Sequence, residues 1–125
     1  MKSEILKEIT HAAQAIYDKK GFNCIVLDVR EICTMTDYFI IAEGTVDRHT
    51  KALGGSVIHE LAKHGVKPIH VEGERDGDWV VIDFVDFVVH LFTPEMREKY
   101  SLERLWHQGK IIDVKIKLGE KIITS

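Results

Sequence analysis

Two aspartates and a tryptophan are the residues of this chain whose type and spacing could do most. From Glu72 through Asp86 the sequence places Glu72, Glu74, Asp76, Asp78, Asp83 and Asp86 against the single cation Arg75, and sets Trp79 and Phe84 among them. Such a surface suits a basic partner: a charged rim governs approach and an aromatic anchor supplies much of the affinity. The same residues also fit a solvated pair of hairpin tips with Trp79 half sunk in a core. A different chemistry is open to Asp83 and Asp86, since two carboxylates near a strand end are of the kind that ligate divalent cations. The matching activity is nucleotidyl transfer, with Leu53-Gly54-Gly55-Ser56 as a faint echo of a phosphate-contacting loop. That echo falls within a helical pattern, however, and the two acids are separated by two residues, so alternation does not put both on one strand face.

Seven histidines invite a search for zinc. His59 and His64 are five apart and do not share a helix face, while His49, His70, His90 and His107 are scattered. A satisfied or exposed histidine is the expectation at each, and no cofactor is implied. Cys33, Ser56 and Ser101 lack any nucleophile signature such as GxSxG or a cysteine-protease box.

The elements that must position these residues follow from periodicity. Residues 3 to 20 place Ile5, Ile9, Ala12, Ala13 and Ile16 at helical spacing, ended by Gly21 just past Lys19-Lys20. Asn23 to Val29 and Tyr38 to Ala42 read as strands. Gly44-Thr45 supplies a turn and a candidate cap, after which Val46, Leu53, Val57 and Leu61 mark a second helix running to His64-Gly65. Gly54-Gly55 inside that helix costs roughly 1 kcal/mol each relative to alanine, which predicts another backbone packed closely there. A strand at Pro68 to Val71 then completes a βαβ crossover. Trp79 to Asp83 and Phe87 to Phe92 are two more strands, and Pro94 opens a short helix. The prediction is a single α/β domain, a mixed five-stranded sheet carrying helices in the order αββαβββα, with Ile111 to Ile123 as an edge strand or a loose end.

At 125 residues, 45% hydrophobic and 30% charged, the chain has the makeup of one ordinary folded domain. No apolar run approaches the roughly 18 residues that span a membrane, and the N-terminal segment resembles neither a secretory signal nor an organelle presequence, so the expected address is cytoplasmic. The net charge of −3 argues against general affinity for nucleic-acid phosphates and against direct sequence-specific nucleic-acid binding. Cys24 and Cys33 form no CxxC pair, and Cys24, inside an apolar strand, is expected to be a small buried thiol.

Three segments together resemble the ribosomal silencing factor, or Iojap-like, family. They are Thr36-Asp37-Tyr38-Phe39-Ile40-Ile41-Ala42-Glu43-Gly44-Thr45 with Arg48-His49; Val71-Glu72-Gly73 continuing from Gly77-Asp78-Trp79 through Phe92; and Glu95 to Trp106. The resemblance spans most of residues 1 to 106, leaving 107 to 125 as an extension without assigned role. It implies a protein that is not an enzyme, that binds large-subunit ribosomal protein fourteen and sterically blocks joining of the two ribosomal subunits, that aids large-subunit assembly, and that pairs as a homodimer. Carried over to matching positions, Trp79 is the anchor, Asp83 and Asp86 meet basic groups, Phe84 stands at the hairpin tip, and Tyr100, Leu102 and Trp106 extend the patch or pack beneath it. The chain departs from the family at Val85, where glycine is usual, so the tip is expected to avoid a glycine-only conformation. It departs again at Val46-Asp47, in place of small hydroxyl residues at the cap of the second helix.

Overall fold

In the computed structural model, which describes residues 2–100, 109–114 and 116, the first apolar stripe is helix α1, Lys2–Asp18. Ile9, Ala12, Ala13 and Ile16 are its buried face, and Lys20, at φ 71°, is the left-handed residue beyond its end, one position before Gly21. Strands β1, Phe22–Asp28, and β2, Tyr38–Glu43, lead to helix α2, Asp47–Lys63. Strands β3, His70–Glu72, β4, Trp79–Asp83, and β5, Phe87–Phe92, follow, then helix α3, Pro94–Tyr100, and strand β6, Lys110–Ile112.

The strands form one six-stranded sheet in the order β3-β4-β5-β2-β1-β6. β2 and β5 are parallel, and every other neighbouring pair is antiparallel. The predicted sheet had five strands; β6 is the sixth, set against β1 with Leu27 opposite Ile111. The alternation in Ile111 to Ile123 is too weak to distinguish a short edge strand from a loop, and the outer edge of β1 decides the matter by accepting it. β2 and β3 run in the same direction through α2, as the βαβ reading requires, but β4 and β5 lie between them.

Alternation divides the side chains between the two faces of the sheet. One face packs Val26, Tyr38, Ile40, Ala42, Val80, Ile82, Phe87, Val89 and Leu91 against α1 and α2. The Val, Leu, Ile and Phe side chains among them stabilise the fold by roughly 1.5–3 kcal/mol each on full burial. The other face gathers Leu27, Val29, Ile41 and Phe92 with the half-buried Ile25, Phe39, Trp79 and Met96, the last from α3.

Two packing expectations are corrected. A Cβ on Gly54 would meet only side chains, with Val80 Cγ1 nearest at 3.4 Å, and one on Gly55 would meet nothing within 4 Å. The glycine pair therefore marks no close backbone approach: Gly54 faces the sheet and Gly55 faces outward. Cys24 is exposed, not buried. The register of β1 shifts between Phe22 and Ile25, with Asn23 at φ 50°, and this bulge breaks the alternation at Cys24. Both cysteines are free.

The start of α2 uses neither Thr45 nor Val46 as a side-chain cap. His49, in the first turn, instead braces the residues that lead into the helix. Its Nδ1 accepts the Thr45 backbone N–H at 2.9 Å, and its Nε2 lies 2.8 Å from the Lys19 carbonyl, which fixes the proton on Nε2 and ties α2 to the end of α1. Val46, read as part of the helix's apolar face, is the exposed residue before it.

Candidate partner-binding face

β4 sends Val80 and Ile82 into the core beneath the helices, which leaves Trp79, Val81 and Asp83 on the opposite face. Across the ladder Trp79 stands opposite Phe92, Val81 opposite His90 and Asp83 opposite Val88. Phe39 closes on His90 edge-on, with ring centroids 4.9 Å apart. The result is an apolar, aromatic surface that the two long helices leave uncovered.

Trp79 is its best-held member. Its ring stacks on Phe92 at 5.0 Å and leans on Tyr100 of α3 at 4.7 Å. Its indole N–H donates to His90 Nδ1 at 3.2 Å. Burial pushes the His90 imidazole down to about 4, so at neutral pH it is uncharged and able to accept that proton. The backbone beneath is equally constrained. Gly73 has φ 83°, and a Cβ there would strike the Trp79 carbonyl oxygen, so the loop before β4 passes under Trp79 only with glycine at that point.

At the far end of β4, about 13 Å from Trp79 at the usual rise per residue, the β4–β5 turn is tightly specified. Asp83 Oδ1 accepts the Val85 N–H at 2.8 Å, Thr36 Oγ1 donates to the Val85 carbonyl at 3.0 Å, and the Asp86 N–H donates to the Phe84 carbonyl at 3.0 Å. Val85 sits at φ 78°. This overturns the expectation that a β-branched residue would keep the tip out of a glycine-type conformation: the surrounding hydrogen bonds impose it. Val85 is 50% exposed and Asp86 is exposed beside it, whereas Phe84 is 5% exposed. Phe84 turns inward and stacks on Phe87 at 4.9 Å, so it supports the tip from the core instead of projecting from it.

The acidic stretch is thus divided. Glu72, Glu74 and Asp76 are exposed at the Trp79 end, and Asp83 and Asp86 lie at the other. Asp83 Oδ1 is the acceptor of a backbone N–H in the turn, and Gly54-Gly55-Ser56 lies within α2 instead of forming a phosphate-contacting loop.

α3 brings Tyr100, 47% exposed, to the Trp79 ring. Its seat is Arg97, whose Nη1 donates to the Asn23 carbonyl at 2.6 Å and to Glu43 Oε2 at 3.0 Å, in an ion pair with both side chains about nine-tenths buried. Leu102 and Trp106 lie outside the described residues. Sequence reasoning passed over Thr36, His90 and Arg97. Strand alternation in β5 marks His90 as sharing a face with Phe92, but nothing local announces that Arg97 reaches back to β1 and β2.

A model of the family described as "Ribosomal silencing factor during starvation" matches residues 2–122. The chain belongs to the ribosomal silencing factor family. It is 37% identical over 102 residues to the ribosomal silencing factor RsfS of Chromobacterium violaceum, covering 81% of this chain and 84% of that protein. Against RsfS of Bacillus subtilis the identity is 32% over 103 residues, 82% of this chain and 87% of the relative. A murine protein named for mitochondrial assembly of the ribosomal large subunit is 36% identical over 94 residues, 63% of this chain and 40% of its own length. Among solved structures, a Chromobacterium violaceum crystal structure superposes with a TM-score of 0.78 at 32% identity, covering 91% of this chain and 94% of that one. Membership ties the function of this chain to the ribosome. Among the described residues, no helix is long and apolar enough to cross a membrane.

Proposed function

We propose that this protein docks on the large ribosomal subunit through large-subunit ribosomal protein fourteen and, by occupying the joining surface, keeps the small subunit away. The observation that carries this reading is the sheet face opposite the two long helices: Trp79, half-buried, is held between Phe92 and Tyr100, with acidic groups at both ends of β4. An apolar centre with an anionic rim is the complement of a basic protein surface. Trp79, Asp83, Asp86 and Tyr100 make the contact, joined by Leu102, and Phe84 holds the tip from beneath. No catalytic step is required. A body of 14.3 kDa excludes the incoming subunit from its own volume, so repression follows occupancy and not turnover. The same attachment accounts for a role in large-subunit assembly, in keeping with the name of the murine relative. The setting is the cytoplasm, and pairing of two copies in the free state belongs to the same reading.

Sedimentation of purified subunits tests it. Added protein should travel with the large subunit and deplete the joined particle, while Trp79→Ala, if folded, should weaken binding to the isolated ribosomal protein by about 2 kcal/mol or more. Joined particles forming normally with saturating protein still attached would refute the mechanism. Unchanged affinity in folded Trp79→Ala would refute the face.

A further inference from the structure

On the opposite side of the sheet, where α1 lies against α2, three side chains converge that the ribosomal reading does not use. His11 projects from α1, and Glu60 and His64 stand four residues apart at the end of α2. Each offers one ligand atom, and these atoms all lie within 4.8 Å of one another. The two imidazoles stack with centroids 3.7 Å apart and planes 12° from parallel, and His64 Nε2 is 3.4 Å from Glu60 Oε2.

We propose that His11, Glu60 and His64 bind one divalent cation of the zinc class, bridging the two helices. Two imidazoles and a carboxylate are a borderline donor set: it suits zinc, whereas magnesium and calcium favour all-oxygen shells. Metal–ligand lengths near 2.0–2.1 Å put tetrahedral ligand atoms about 3.4 Å apart, which Glu60 and His64 already satisfy at 3.4 Å, so His11 must close in by roughly 1.4 Å at most. Two parallel rings cannot both aim lone pairs at one ion, so one of them must turn. His64 has the freedom to do this: its side chain is 40% exposed, and it sits at the C-terminal boundary of α2. Glu60 also holds Lys63 at 3.4 Å, and that ammonium gives way to the ion. Glu60 and His64 at i and i+4 share one helix face, and His11 completes the set from the neighbouring helix. A protein with three ligands leaves a fourth position for water. The expected consequence is a staple between the middle of α1 and the end of α2, remote from Trp79.

The test is calorimetric titration of the untagged full chain with zinc chloride, with magnesium chloride as control, on the wild type and on His11→Ala, Glu60→Gln, His64→Ala and His59→Ala. His59 is exposed on the same helix and outside the cluster. One zinc per chain is expected, with no magnesium binding, affinity weakened about tenfold or more in each cluster variant and unchanged in His59→Ala. Zinc should also raise the melting temperature of the wild type and not that of His11→Ala. Absence of stoichiometric zinc binding, or wild-type affinity in folded His11→Ala and Glu60→Gln, would overturn the proposal. Ribosomal binding by these variants is expected to be unchanged, so failure here and failure of the docking reading are separable.

Discussion

Val85 concentrates the physics of the hairpin tip in one backbone angle. A valine at φ 78° is strained, and conformations of this kind cost on the order of 1–3 kcal/mol. It persists because Asp83, Thr36 and the Asp86–Phe84 hydrogen bond leave the turn no alternative. Val85→Gly releases the strain at the cost of a more flexible unfolded chain, so a net stabilisation of about 1 kcal/mol is expected in urea denaturation. Equal or lower stability would show that the tip relaxes by another route. His90 provides a second test at this scale. Its folded-state value, about 4, lies below the ordinary 6.5, so the unfolded chain takes up the proton first as pH falls. Stability is fully present above about 6.5 and declines toward pH 4, by on the order of 3 kcal/mol from this group. The comparison of wild type with His90→Gln by denaturation at several pH values isolates the effect. An identical pH slope in the two proteins would remove it.

At the scale of elements, α3 depends on a buried ion pair more than on its own seven residues. Removing one partner of such a pair leaves an uncompensated charge and costs about 3–5 kcal/mol. Arg97→Met should therefore destabilise the protein by roughly 3 kcal/mol or more, while adding Glu43→Met recovers a large part of it; denaturation of the single and double variants measures both. A double variant no better than the single would point to packing loss instead of stranded charge. This is also the scale at which the sequence was most and least informative. α1, α2 and the four longer strands were legible because their burial is periodic, and Trp79 stood out as an aromatic among acids, which the structure sets against Phe92 and Tyr100. β6 was not, since a three-residue edge carries too little alternation. The fate of Cys24 depended on a bulge, the inward turn of Phe84 on a strained neighbour, and the Arg97–Glu43 pair on two residues 54 apart. Each of these is decided by tertiary context that no local window contains.

For the whole molecule, the arrangement is two-sided: α1 and α2 cover one face of a single sheet, and the other, with α3 packed on part of it, carries the half-buried Phe39, Val81, Val88, His90 and Trp79 with acids at the margins. Under the proposed docking, a net charge of −3 facing a basic partner would steer encounter more than hold the complex. Raising salt from low to physiological levels should therefore slow association with the ribosomal protein markedly and change dissociation little, as surface plasmon resonance would resolve. A dominant salt effect on dissociation would place the charged groups inside the contact and not around it.

The parallel pairing of β2 with β5 has a consequence for how the protein is made. Tyr38 lies beside Phe87, and Glu43 beside Phe92. A nascent chain cannot zip the middle of its sheet until about fifty further residues have been translated. The first two strands and α1 must wait, their apolar faces open, while α2 and the next hairpin emerge. The polypeptide that we expect to restrain protein synthesis is thus a late folder, reaching its working shape only when three-quarters of it has left the ribosome that built it.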